Sequence, residues 1–197
     1  MPHRRQSIHK GVTVPGVNLT RAEAKERSSL VKVHSYEVEL DLTKGAESFI
    51  SKTRIRFDGL KPGATTFIDA VGKSVIKAEL NGVAFDTKFD GESIFLPALA
   101  AQNELYIELE GIYSNSGEGL HRFEDPADHE VYLYTQHEVA DARRTFVCFD
   151  QPDLKATFAI SAIVPAHWEV ISNNPIESKS DVNGSQKWVF TPTPRIS

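Results

Sequence analysis

Ser35-Tyr-Glu-Val-Glu-Leu-Asp-Leu42 alternates one polar with one apolar residue over eight positions. Tyr36, Val38, Leu40 and Leu42 fall on one side of an extended chain, and Ser35, Glu37, Glu39 and Asp41 on the other. This period of two is the signature of a half-buried strand. Phe49, Thr53, Ile55 and Phe57 repeat it, with Ser51 a weak point. Residues 75–80 and 83–89 read as a hairpin around Asn81-Gly82, a pair that tolerates the positive φ of a tight primed turn. Residues 93–96 form the next strand. Leu105, Ile107 and Leu109 then alternate with Glu104, Glu108 and Glu110. Residues 132–138, 157–164, 168–172 and 186–191 complete the set. Asp58-Gly59, Lys61-Pro62-Gly63, Asp90-Gly91, Asn173-Asn174-Pro175 and the stretch 181–184 are turn signals. Residues 114–130, with Gly117, Gly119, Pro126 and many charges, read as a loop. Ten or so short strands with close turns and no long helix predict an all-β fold, an antiparallel sandwich or barrel over residues 31–197.

Residues 1–30 read as an N-terminal arm. Within it, residues 18–27 predict a short helix, because Thr20 followed by Glu23 is a capping-box pattern. Val14-Pro15-Gly16 breaks order before it. At the other end the chain stops at Ser197 directly after a strand, so that edge reads as truncated.

The 197 residues, 40% hydrophobic and 25% charged, can bury a core without covalent staples. Cys148 is the single cysteine, so no internal disulfide can form, which suits a reducing, cytoplasmic setting. No run of eighteen apolar residues spans a membrane. Arg4, Arg5 and Lys10 precede no apolar core, which rules against a secretory signal peptide. Residues 1–33 hold seven Lys/Arg against two Asp/Glu, and the remaining 164 hold fifteen against twenty-five. An acidic body argues against a nucleic-acid partner. It suits either a cationic ligand or plain solubility.

Chemistry concentrates in residues 132–158, where Gln136, Glu138, Asp141, Arg143 and Arg144 interrupt strand patterning. Polar groups in core-forming positions mark a site or a buried polar network. His121, His129 and His137 are evenly spaced, but eight extended residues span about 26 Å, too far for shared coordination. His137-Glu138-Val139-Ala140-Asp141 lacks the second histidine of a zinc helix and sits on a strand. No His-Glu-x-x-His, Gly-x-Ser-x-Gly elbow or phosphate-binding glycine loop occurs. Cys148, between Val147 and Phe149, reads as a small buried hydrophobe. The residues alone therefore describe a sandwich with one polar strand, no catalytic set and no metal site.

Thr135-Gln-His-Glu-Val-Ala-Asp-Ala-Arg-Arg-Thr-Phe-Val-Cys-Phe-Asp-Gln-Pro152, continuing in Lys155-Ala-Thr-Phe158, closely resembles the aminopeptidase N family of zinc metallopeptidases. Gly117-Glu-Gly-Leu-His-Arg-Phe123 and Asp125-Pro126 are similar to its bacterial branch, above all to actinobacterial members. Val170-Ile-Ser-Asn-Asn-Pro175, Pro192-Thr-Pro-Arg-Ile-Ser197 and Ser35–Leu42 also fit, so the resemblance covers residues 16–197. It implies a saddle-shaped antiparallel β-sandwich, the N-terminal domain of a zinc-dependent aminopeptidase. The zinc and the hydrolytic machinery would belong to a catalytic domain absent from this chain, which would be inactive alone. That domain would be its intramolecular partner, and peptide N-termini the substrate. The resemblance assigns Glu138 to the substrate α-amine and Gln136 to the pocket for the first side chain. It gives His137 no special role. Asp141, Arg143 and Arg144 match an Asp-Ala-Arg-Arg segment and read as a structural ion-pair network. The acidity of residues 118–141 either draws cationic peptide ends or solvates a loop. Relatives begin near Pro15, which raises Val14 as an alternative start. The competing reading is a non-catalytic β-sandwich interaction or scaffold module.

Overall fold

A computed structural model describes residues 18–197 and, of the preceding residues, only the backbone of β1 (Ile8–His9) and β2 (Val12–Thr13), which pair antiparallel. The rest of the arm and the alternative start at Val14 lie outside the described residues. Helix α1 (Arg21–Ser28) carries the expected capping box: the Glu23 N–H donates to Thr20 Oγ1 at 3.3 Å, and the Thr20 N–H to Glu23 Oε2 at 2.7 Å.

The remaining elements are β3 (Val31–Asp41), β4 (Ser48–Gly59), β5 (Thr66–Asp69), β6 (Ser74–Leu80), β7 (Val83–Ala84), β8 (Ser93–Leu96), β9 (Gln102–Ile112), β10 (Gly119–Glu124), β11 (Val131–Gln136), β12 (Thr157–Pro165), β13 (Ile176–Val182) and β14 (Ser185–Phe190). Eight of them form one sheet in the order β13-β14-β12-β3-β4-β9-β6-β7. The all-β expectation holds, with one refinement. β12 runs parallel to β3, so the sheet is mixed rather than wholly antiparallel. The long excursion from β3 to β12 returns the chain to the same end of the sheet, which parallel pairing requires.

Core-facing residues alternate as the sequence implies. Tyr36, Val38 and Leu40 are buried on β3, and so are Val31 and Val33, which are out of phase with them. A bulge between Val33 and Ser35 reconciles the two runs: one extra residue, His34, reverses the alternation so that both face inward. β5 and β8 pair as a second layer, and Asp69 extends it by bonding Cys148 in both directions at 3.0 and 3.1 Å. Ile68, Ile94, Leu96 and Val147 close this layer over Phe49, Ile55, Ile107 and Leu109. Trp188, Phe190, Ala162 and Val164 make a smaller core at the β14 end. Asn81 and Gly82 both adopt positive φ, 54° and 78°, as a primed turn demands, but the strand after them is only two residues long.

Four stretches depart from the sequence reading. Residues 114–130 hold β10, and residues 168–172 form no strand. The next strand is β13, an exposed edge with no apolar alternation, held by its ladder to β14. β5 has its four residues buried on both sides and so shows no alternation either.

The outward face of the sheet is a lattice of cross-strand ion pairs. Glu39 accepts from Lys52 at 3.0 Å and from Lys187, and Arg54 and Arg56 bridge Glu37 and Glu104. Burial opposes ionisation of Glu39, but hydrogen bonds from Lys187 and Lys52 outweigh it and hold its carboxyl below the ordinary range. Asp41 is lowered in the same way, against burial, by Thr43 and Lys44. Carboxyls with a depressed folded pKa stabilise the fold above their unfolded pKa and lose that contribution as pH falls through the folded value. Asp150 has the opposite sign: burial raises its carboxyl above the ordinary range, so holding it ionised in the fold costs stability that is recovered as pH falls. Glu39 and Asp41 outnumber it, so the urea midpoint is expected to fall below about pH 4. A midpoint unchanged from pH 6 to pH 3 would contradict this.

Candidate functional site

The hairpin β10–β11 stands outside the large sheet, with Gly119 opposite Gln136. β11 ends at Gln136, two residues earlier than the sequence reading had it, and Glu138 stands in the turn that follows. The Gln136 side chain shapes that turn: its Oε1 accepts the Glu138 N–H at 2.7 Å. Both side chains are exposed. Among the described residues no Lys, Arg or His forms an ion pair with the Glu138 carboxylate.

Gly119 sets the hairpin against the body of the domain. It sits at φ +66°, and an added Cβ would lie 2.5 Å from Arg144 Cβ. Neither the backbone conformation nor the space admits a side chain. Gly119→Ala is expected to destabilise the chain by about 1–3 kcal/mol through strain and forced displacement. Equilibrium unfolding tests this, and an unchanged midpoint would show that the hairpin is free to move.

The turn continues into a 3-10 segment, Ala142–Arg144. Arg144 Nε donates to Asp141 Oδ1 at 2.6 Å. Arg143 lies elsewhere. It is buried, its N–H donates to Asp150 Oδ2 at 3.2 Å, and its carbonyl accepts from the Val71 N–H at 2.8 Å. The structure thus joins Asp141 to Arg144 and ties Arg143 to the second layer.

Glu138 lies on the wall of a cavity of about 1190 Å³. Its other walls include Tyr36, Val38 and Leu40 of β3, Phe158 and Ile160 of β12, Leu133 of the hairpin, and Trp168 and Ile171 beyond β12. Ile171 is 95% exposed. One wall is therefore apolar and unfilled, with a carboxylate at its border. The volume exceeds what a small molecule commonly fills and suits a peptide or a packed protein element.

The three histidines serve separate local contacts. His121 Nδ1 accepts the Gly117 N–H at 3.1 Å, and its ring lies 4.8 Å from that of Tyr134. The His129 N–H bonds the Asp125 carbonyl at 2.8 Å. His137 Nε2 lies 3.0 Å from Thr145 Oγ1. Among the described residues no group of three or more His, Cys, Asp or Glu is placed to hold a metal ion. Cys148 is buried, and burial first, then Asp150 and Asp69, pushes its thiol well above the ordinary range. Among the described residues no helix is long and apolar enough to cross a membrane.

Sequence reasoning missed the apolar wall, because its residues come from four separated segments. It also missed Arg27. This side chain, 1% exposed on α1, reaches Asp69 Oδ2 at 2.6 Å and Gln151 Oε1 at 3.0 Å. Gln151 in turn donates to the Ala24 carbonyl and to Ser28 Oγ. The arm's helix is thereby clamped to the segment that follows the site.

Residues 32–197 match the family described as the peptidase M1 N-terminal domain. The chain is 49% identical over 189 residues to aminopeptidase N of Streptomyces lividans, covering 93% of this chain and 22% of that protein. It is 32% identical over 170 residues to probable aminopeptidase 1 of Sulfurisphaera tokodaii, covering 85% and 21%. The crystal structure of an M1 zinc metallopeptidase mutant from Deinococcus radiodurans superposes with a TM-score of 0.70 at 19% identity, over 84% of this chain and 40% of that one. The fold is thus shared, and the chain spans about a fifth of the length of the curated relatives it matches.

Proposed function

The chain belongs to the family of peptidase M1 N-terminal domains, and from that premise we propose that it serves a zinc-dependent aminopeptidase that removes residues from peptide N-termini. In this reading Glu138 grips the protonated α-amine of the substrate and Gln136 lines the pocket for its first side chain. Asp141, Arg143 and Arg144 hold the scaffold. The domain is inactive alone, and the protein works in the cytoplasm, a location supported by its lone, buried cysteine.

One observation carries the reading: an exposed carboxylate, free of ion pairs among the described residues, stands at the border of a large cavity with an apolar wall. A glutamate carboxylate and an α-amine carry opposite charges near pH 7, and a charge-assisted hydrogen bond joins them. An acylated terminus offers no such charge and leaves the carboxylate unpaired, which selects chain ends. The zinc that the family implies does not fit the described residues of this chain, so the metal and the hydrolytic step are assigned to the catalytic domain. The apolar wall is where we seat that domain.

The test is the coding sequence beyond Ser197 together with the activity of its product. A Gly-x-Met-Glu-Asn segment followed by His-Glu-x-x-His, and release of N-terminal residues by the full-length protein but not by residues 1–197, is the expected result. A stop codon directly after Ser197 would favour the non-catalytic scaffold module instead.

A further inference from the structure

Gln136, His137 and Glu138 are consecutive but face opposite ways. The outer two are exposed, while His137 between them is half-buried. Its Nε2 lies 3.0 Å from the hydroxyl of Thr145, which is 2% exposed. Its ring meets Phe146 edge-to-face, centroids 5.8 Å apart at 81°. Phe146 packs in turn against Tyr36 and Phe158, at 6.4 and 6.1 Å, so this contact leads into the core. The His137 carbonyl also accepts the Asp141 N–H at 3.1 Å, closing the turn that carries Glu138. Val139, next along that turn, is 71% exposed.

We infer that His137 is the positioning residue that fixes the Glu138 carboxylate for the substrate amine, through its bond to Thr145 and its seat on Phe146. The inference rests on the reading of Glu138 as the amine anchor. A side chain nailed to the core holds the backbone of its neighbour in place without touching the ligand. The seat favours neutral imidazole: burial lowers its pKa, and Asp141 on the same turn acts in the opposite sense. Of the other charged groups nearby, Arg144 is paired with Asp141, the Arg143 charge acts on Asp150 and lowers its carboxyl against the larger effect of burial, and the Tyr36 phenol behind Phe146 is raised well above its ordinary value by burial. Glu130, His167 and Glu169 line the same cavity. A base whose pKa is lowered on docking stays docked above its free value, and docking weakens as pH falls below that value, about 6.5.

In the full-length protein, His137→Phe keeps the ring contact and loses the hydrogen bond and the titration. Its KM for a free-amine aminoacyl substrate is expected to rise about 2- to 10-fold at pH 7.5 with kcat nearly unchanged. His137→Gln, which offers an amide hydrogen bond to Thr145 without titrating but gives up the ring contact, should recover part of the neutral-pH KM. The wild-type increase in KM below about pH 6.5 should be absent in both variants. A wild-type KM and pH profile in His137→Phe, where Glu138→Ala does raise KM, would overturn the inference alone. No effect of Glu138→Ala would overturn the amine anchor itself. In residues 1–197 carrying Glu138→Gln, NMR should show the backbone amide of residue 138 titrating with the His137 imidazole at one midpoint. An amide that ignores the imidazole would overturn the inference whatever the enzyme does.

Discussion

Glu138→Ala in the full-length protein is expected to lower kcat/KM for a free-amine aminoacyl substrate about 10- to 150-fold. A hydrogen bond to a charged group contributes about 1.5–3 kcal/mol, and each 1.4 kcal/mol is tenfold. The full effect is expected because the carboxylate has no ion pair to break first among the described residues, and its turn is preorganised by the Gln136 side chain at 2.7 Å. Glu138→Gln keeps the shape and a hydrogen-bonding oxygen but loses the charge, so it should fall between wild type and alanine. An N-acetylated substrate, already poor, should be affected far less by either variant. Equal losses on both substrates would assign Glu138 a structural role rather than amine recognition. Steady-state kinetics on the paired substrates decides it.

The largest stability effect is expected at Arg27 and Asp69. Both are almost fully buried, joined at 2.6 Å, with the guanidinium 4.9 Å from the centre of the Phe67 ring. Breaking such a pair leaves one uncompensated charge in the interior, a loss of about 3–5 kcal/mol. Asp69→Leu strands Arg27, whose Nη2 has no hydrogen-bond partner even in the intact chain. It also removes the acceptor for the Asp150 N–H at 2.9 Å, so it should reach the upper end of that range. Arg27→Met additionally frees α1, which should lose amide-exchange protection before the sheet does. The double variant should recover much of the loss, because two apolar side chains replace a pair whose desolvation nearly cancels its attraction. Denaturant unfolding of the four proteins measures the coupling. Additive single effects below about 1 kcal/mol would mean that the pair is hydrated.

The strands of the large sheet were legible wherever one face is buried and the other wet. Ser35–Leu42 and the Leu105, Ile107, Leu109 run are such cases, and the bulge at His34 explains why the alternation becomes readable only from Ser35. β5, buried on both sides, and β13, exposed along nearly its whole length, carry no alternation for a reader to find. β10 hides among glycines and charges because β11 is its one strand partner among the described residues, away from the core sheet. The parallel pairing of β12 with β3 joins residues more than a hundred positions apart, and neither strand's pattern names its neighbour. At the site, the polar interruption at 136 and 138 was visible, and so was its likeness to a family. The inward turn of His137 was not, since it depends on Thr145 and Phe146 folding back beneath it. Arg27 sits in an arm of polar residues, and its burial is made tolerable by the distant partners Asp69 and Gln151.

The most direct measurement is a crystal structure of the full-length protein with an aminoacyl hydroxamate bound. A Glu138 carboxylate oxygen is predicted within about 3 Å of the ligand's α-amine. An amine held entirely by other groups, with Glu138 turned to solvent, would contradict the assignment.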